Sequence, residues 1–155
     1  MGVHTVQESV TKKLFLLPAV CVLAMPFVHP FGPVRQQHSP NPLPDVPPAI
    51  EKACLNCHSQ RTQWPLYSYL PMVSWALEKD VVEARQHMDL SRWDQYSMED
   101  KRDLLARIGA EVRNHRMPLP RYLLLHPEAR LSDAEIQAIY EWTKTQRRAT
   151  RNVRE

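Results

Sequence analysis

Glycine and cysteine are scarce in this chain of 155 residues, which contains three of each. Three cysteines exclude a disulfide-rich scaffold, which needs more of them at regular spacing. The few glycines form no Gly-rich phosphate loop, so nucleotide chemistry is not expected. An excess of charge of one sign is also lacking. The 20 Lys and Arg against 17 Asp and Glu give a formal net charge of +3, too small to indicate nucleic-acid binding.

An alternating strand pattern is missing as well, and from residue 49 onward the apolar residues recur at helical spacing. The spacing predicts helices over 49–58 and 73–88, a third from Ser97, and a fourth opened by the capping-box pattern at Ser132. The apolar face of the third helix is Leu104, Leu105, Ile108 and Val112. We therefore expect an all-α domain of about four helices over residues 49–146, with room for one domain in the chain.

Proline is abundant where glycine is not, and seven of the 14 prolines lie between residues 30 and 48. Such density favours extended, polyproline-like chain, so residues 29–48 are predicted to be a linker. The last residues, 147–155, carry four Arg and are predicted to form a basic, flexible tail.

The N-terminal segment 1–28 has the layout of an export signal. Lys12 and Lys13 precede an uncharged apolar run over 14–28, and Ala24 offers a cleavage position before Met25. The run is shorter than the ~20 residues of a usual spanning helix, yet an uncleaved anchor stays open. The expected location is the periplasm, either soluble after cleavage or tethered to the inner membrane.

Residues 54–58 read Cys-Leu-Asn-Cys-His, the C-x-x-C-H attachment signature of a c-type haem. Two thiols one helical turn apart can add to the two vinyl groups of one porphyrin, and His58 then binds the iron as the proximal ligand. A thioredoxin-like pair would need β-α-β context, a zinc site would need further ligands, and a Cys54–Cys57 disulfide would leave His58 unexplained. The sequence therefore predicts one covalent haem c held by Cys54, Cys57 and His58.

The sixth iron ligand is predicted to be Met117, in the loop before the last helix. Pro118 after it keeps the backbone extended, so the thioether is presented from a stiff, non-helical segment. A Met ligand raises the reduction potential relative to a second His. His115 and His126 lie near the same loop and remain the alternatives.

An aromatic stretch follows the motif over residues 61–75. Arg61 and Trp64 are candidate partners of a haem propionate, because a guanidinium or an indole N–H can bind a carboxylate. The alternative is that the aromatic residues simply form the core of a small domain. Trp93 and Trp142, further along the chain, are predicted to pack in the core.

Four segments of the chain resemble small bacterial haem-binding domains related to monohaem cytochrome c. They are CLNCHS (54–59), WPLYSYLPMVSW (64–75), MPLPRYLLLHPEARLSDAE (117–135) and the closing helix around Tyr140. The resemblance implies a cytochrome c-like fold in which the first and last helices cross, with thioethers at Cys54 and Cys57 and iron ligation by His58 and Met117. The family often has an aromatic residue or Pro after its Met-Pro pair, where this chain has Leu119.

The predicted function is single-haem electron transfer outside the cytoplasm, with redox partner proteins and the c-type haem maturation machinery as partners. A haem-based sensor that binds a diatomic ligand at a weak or absent sixth position is the alternative. A peroxidase is disfavoured by the single C-x-x-C-H motif, so the protein is not expected to be an enzyme.

Overall fold

The structure, a computed structural model, describes residues 28–37 and 44–152 and, before them, residues 16, 18, 20–22 and 24. Regular structure in these residues is entirely helical, which confirms the all-α prediction. Within the same residues, no helix is both long and apolar enough to cross a membrane. The predicted signal or anchor segment 1–28 lies mainly outside the described residues.

Four α-helices follow residue 44: α1 (Pro48–His58), α2 (Val73–His87), α3 (Met98–Arg113) and α4 (Asp133–Asn152). Each begins within one residue of its predicted start because local chemistry fixes the ends. Pro48 opens α1, where a missing N–H costs nothing. Ser97 and Asp100 form a complete capping box before α3. Short 3-10 helices connect them at Val34–Gln36, Leu66–Tyr69, Leu90–Gln95, Tyr122–Leu124 and Pro127–Ala129.

The described residues form two compact units. The N-terminal unit consists of residues 28–36 and 64–80, and the main unit of residues 37, 44–63 and 81–152. The main unit holds α1, α3 and α4 and the C-terminal end of α2.

The core of the main unit gathers residues from α1, α3 and α4 and from the segments before α1 and after α2. The buried apolar cluster is Val46, Ala49, Ile50, Met88, Leu90, Leu104, Val112 and Ile139. Trp93 and Trp142 pack against this cluster as predicted, and the predicted face of α3 points inward. The most extensive helix contact is between α3 and α4, and α1 also touches α4. Lys52 of α1 pairs there with Glu135 of α4 at 2.6 Å.

Two predicted boundaries differ from the structure. Residues 29–36 lie in the predicted linker, yet they include a 3-10 helix and a buried Val34 that belong to the N-terminal unit. Proline density predicts the extended Pro44–Pro47 stretch but not these contacts. At the other end, α4 continues to Asn152, into the predicted flexible tail, because residues 147–152 contain no Gly or Pro to stop it.

Gly109 sets the separation of α3 and α4, and Gly109→Ala is expected to destabilise the protein by about 1–3 kcal/mol. A Cβ at this position would lie 2.9 Å from Thr143 Oγ1, whose side chain is buried. The same change in an open helix would stabilise by roughly 0.5–1 kcal/mol. Urea unfolding of Gly109→Ala and of the double variant with Thr143→Ala tests this. The double variant should recover part of the loss, and a more stable Gly109→Ala would contradict the steric account.

Candidate functional site

Cys54 and Cys57 lie three residues apart in α1, one helical turn from each other and therefore on the same side of the helix. Both are free thiols with partly buried side chains. Burial, with a smaller contribution from Cys57, raises the pKa of the Cys54 thiol to about 12. Cys54 is therefore protonated at neutral pH, and its neighbours in space are the apolar residues of the core.

His58 is the last residue of α1, and its ring is held by the end of α2. Its Nδ1 lies 3.1 Å from the carbonyl oxygen of Met88. In the neutral ring this contact requires Nδ1 to donate the proton, which leaves Nε2 with its lone pair. Burial lowers the pKa of His58, although hydrogen bonds to the Met88 and Ala84 carbonyls oppose the shift. A neutral imidazole fixed through Nδ1 is the form that binds a metal through Nε2.

The turn after the motif is held by buried polar groups. The Ser59 hydroxyl donates to the Leu55 carbonyl at 2.7 Å and accepts from the N–H of Arg61. Gln60 bonds Asp89 through its side-chain amide and the Ser91 hydroxyl through its backbone N–H. Because Asp89 and Ser91 lie one and three residues after Met88, these bonds help to fix the carbonyl that orients His58.

Arg85 joins the motif's end to α2 and was not identified from the sequence. Its Nε donates to the Ser59 carbonyl at 3.0 Å, and its two terminal nitrogens donate to Thr62 Oγ1 and Gln37 Oε1 at 2.9 and 2.7 Å. Burial lowers its pKa, while Asp89 and Cys57 favour the charged form. The guanidinium that lies beside the proximal motif is therefore that of Arg85, whereas Arg61, the residue predicted from the sequence, is exposed.

Arg85→Gln is expected to cost about 1–3 kcal/mol of stability, because the Ser59 carbonyl and Thr62 hydroxyl lose their charged donor in a partly buried place. Urea unfolding followed by circular dichroism measures the loss. Arg92→Gln is the matched control, since Arg92 is exposed and bonds its exposed neighbour Gln95, and such surface contacts contribute about 0–1 kcal/mol. Equal effects for the two variants would contradict a bracing role for Arg85.

Asn56, between the two cysteines, connects the motif to the segment after Met117. Its Nδ2 donates to the Tyr122 hydroxyl at 3.1 Å. Its Oδ1 accepts from the N–H of Gln63, and its carbonyl accepts from Thr62 Oγ1 at 2.6 Å. The fold thus brings the 117–126 loop to the motif helix, as a distal ligand from that loop requires.

The three candidate distal ligands differ in their surroundings. Met117 is partly buried, and its N–H donates to the Glu111 carbonyl at the end of α3. His115 is exposed and has a left-handed φ of 52°. His126 stacks on Tyr122 with ring centroids 4.2 Å apart and holds Glu128 through Nδ1 at 2.8 Å. Met117 is therefore partly buried where His115 is exposed, and it lacks the ring stacking and carboxylate contact described for His126.

Trp64 and Arg61, the predicted propionate partners, belong to different units. Arg61 is exposed in the main unit, whereas the Trp64 ring belongs to the N-terminal unit and carries the Arg35 guanidinium 4.2 Å from its centroid. Among residues 28–37 and 44–152, no three His, Cys, Asp or Glu side chains are grouped as ligands for a metal ion.

An all-α fold whose first helix ends in two thiols and an oriented, neutral imidazole defines a class of protein able to hold a haem. The family model described as "Haem-binding domain" matches residues 24–145, and the chain belongs to this family. The protein therefore binds haem, and the resemblance seen in the sequence is confirmed. No curated protein and no solved structure matches the chain.

Proposed function

We propose that the protein is an exported single-haem electron carrier of the c type. Cys54 and Cys57 would form the two thioether links, His58 would bind the iron through Nε2, and Met117 would supply the sixth ligand. The observation that carries the proposal is the Met88 carbonyl 3.1 Å from His58 Nδ1, at the end of a helix bearing both thiols. This hydrogen bond occupies Nδ1 of His58 and so leaves Nε2 of the same imidazole to bind iron.

Electron transfer is the chemistry that the haem supplies when it is bound, by cycling between ferrous and ferric iron. The chain's own residues hold the ligands still, because Asn56, Gln60 and Arg85 connect the motif and the turn after it to other segments through hydrogen bonds. Fixed ligands favour transfer with little rearrangement. Export, contact with redox partner proteins and loading by the c-type haem maturation machinery are parts of the same proposal.

The test is an optical spectrum, oxidised and reduced, of the full chain produced in a host that attaches c-type haem. We expect a sharp c-type reduced spectrum and the weak far-red band of Met-ligated ferric iron. The colour should stay with the protein in acidic acetone, which extracts non-covalent haem. Cys57→Ser should leave one thioether and shift the reduced band, whereas Cys21→Ser, outside the motif, should change neither property.

Three other outcomes would contradict parts of the proposal. Haem that acidic acetone removes would exclude covalent attachment while leaving the family assignment intact. Rapid carbon monoxide binding by the reduced protein would favour the sensor alternative, because an open iron position accepts the gas. Peroxide turnover at catalytic rates would favour a peroxidase.

A further inference from the structure

An uncharged, aromatic surface of the N-terminal unit has no part in the proposed function. Residues 62–77 contain no charged side chain, although they include two Trp and two Tyr. Within the unit, Leu66 is 90% exposed and Met72 is 70% exposed, with Tyr69 and Leu70 also exposed. Met72 has a φ of 64°, an uncommon backbone conformation for a residue with a side chain. We call residues 66–72 the apolar loop.

The apolar loop belongs to the same unit as the end of the N-terminal apolar run. That run covers residues 14–28, and the carbonyl of its last residue, Val28, accepts a hydrogen bond from Trp75 Nε1 at 2.7 Å. Val28 and Phe31 are themselves exposed apolar side chains. The N-terminal apolar run therefore continues directly into the unit that carries the apolar loop.

The attachment of residues 28–36 to the rest of this unit is firm. The Arg35 guanidinium lies over the rings of Trp64 and Tyr69, at 4.2 and 4.9 Å, and its Nε pairs with the buried Glu78. His29 bonds the same carboxylate at 2.9 Å. These contacts fix the position of Val28 relative to the residues around Tyr69.

We propose that the apolar loop rests in the interfacial layer of the membrane that holds the chain's own N-terminal run. Apolar side chains flanked by Trp and Tyr suit the level of the lipid headgroups, and the Arg35 guanidinium over Trp64 and Tyr69 is paired with the buried Glu78. A transient protein partner is instead guided by complementary charge, which residues 62–77 do not provide. The inference rests on the export that the proposed function includes and, beyond it, on the N-terminal run being kept as an uncleaved anchor.

The experiment uses the full chain, loaded with haem and reconstituted in nanodiscs of phosphatidylethanolamine and phosphatidylglycerol. Cys21→Ser removes the thiol outside the motif, and Leu66→Cys then carries an environment-sensitive fluorophore. Leu124→Cys, at a main-unit residue that is 81% exposed, is the matched control. Met72→Cys is a second position within the apolar loop, in case one label perturbs its site.

The labels at 66 and 72 should emit at shorter wavelength than the label at 124. Nitroxide-bearing lipid should quench them at least about twofold, because side chains buried ~5–10 Å into the interface meet the quencher. The label at 124 should be unaffected. Equal quenching at all three positions, or none, would overturn the proposal. So would shielding at 66 that appears only when a protein partner is added, or recovery of the chain only as a soluble form lacking its N-terminal run.

The absorbance of the same nanodiscs separates this inference from the proposed function. Lipid contact at 66 in a sample without covalent haem would contradict the electron-carrier proposal and leave the membrane-contacting loop standing. Covalent haem together with a water-exposed label at 66 would support the electron-carrier proposal and contradict the membrane contact of the apolar loop.

Discussion

Met117→Ala should remove the weak far-red band of the ferric protein and lower its reduction potential. A thioether ligand stabilises ferrous iron, so its loss should shift the potential downward by on the order of 0.1 V, part of the ~0.8 V over which axial ligands tune haem. The reduced variant should also bind carbon monoxide, which the parent should bind poorly. Redox titration and optical spectroscopy of the full chain measure all three properties.

Met72→Ala is the control for this substitution, because Met72 is also a loop methionine but is largely exposed and belongs to the N-terminal unit. It should leave the band and the potential unchanged. If Met117→Ala keeps the parent spectrum, Met117 is not the sixth ligand, and His115 and His126 become the candidates. His126→Ala would then be the informative variant, since His126 stacks on the Tyr122 ring that bonds Asn56 of the motif.

The features that the sequence predicts well are those decided within a few residues. The capping box predicted at Ser132 forms with Glu135, and Ser97, the predicted start of the third helix, caps it by accepting from the Asp100 N–H. The relation of Cys54, Cys57 and His58 is likewise local, because helical geometry alone puts the thiols on one side of α1. Such patterns require no knowledge of which elements meet in space.

The features that escape prediction depend on contacts between distant segments. Arg85 is one of many polar residues on α2, and nothing in its own neighbourhood along the chain indicates that it binds the Ser59 carbonyl. The Met88 carbonyl that orients His58 is a backbone group, which leaves no mark in the sequence. Gly109 resembles any helical glycine until α4 is placed against it.

The contacts of residues 29–36, within the predicted linker, escape prediction for the same reason. Proline content describes the local stiffness of a chain but not whether its other side chains find partners. Val34 is buried and Arg35 reaches Glu78, 43 residues away, so this part of the predicted linker is built into the N-terminal unit. The pairing of a single Arg with a single distant Glu leaves no pattern that periodicity or composition detects.

Arg35→Ala should destabilise the N-terminal unit by about 3–5 kcal/mol, the usual cost of removing one partner from a buried ion pair. The Glu78 side chain is fully buried, and that of Arg35 is only 13% exposed. Without Arg35, the Glu78 carboxylate keeps His29 as its one basic partner among residues 28–37. Ser68 also loses the two hydrogen bonds that Arg35 donates to its hydroxyl and carbonyl oxygens. The loss of the guanidinium from the faces of Trp64 and Tyr69 adds to the effect.

Hydrogen exchange measured by mass spectrometry separates the two units, since peptides from 64–80 should lose protection while those from α3 and α4 keep it. Adding Glu78→Gln to Arg35→Ala should recover part of the loss, because the buried charge, rather than the missing contact, causes most of it. Lys144→Ala breaks an exposed pair with Glu141 and should change stability by less than about 1 kcal/mol. If Arg35→Ala matched this exposed control, and Glu78→Gln added nothing, the buried pair would not be what holds residues 28–37 in the unit.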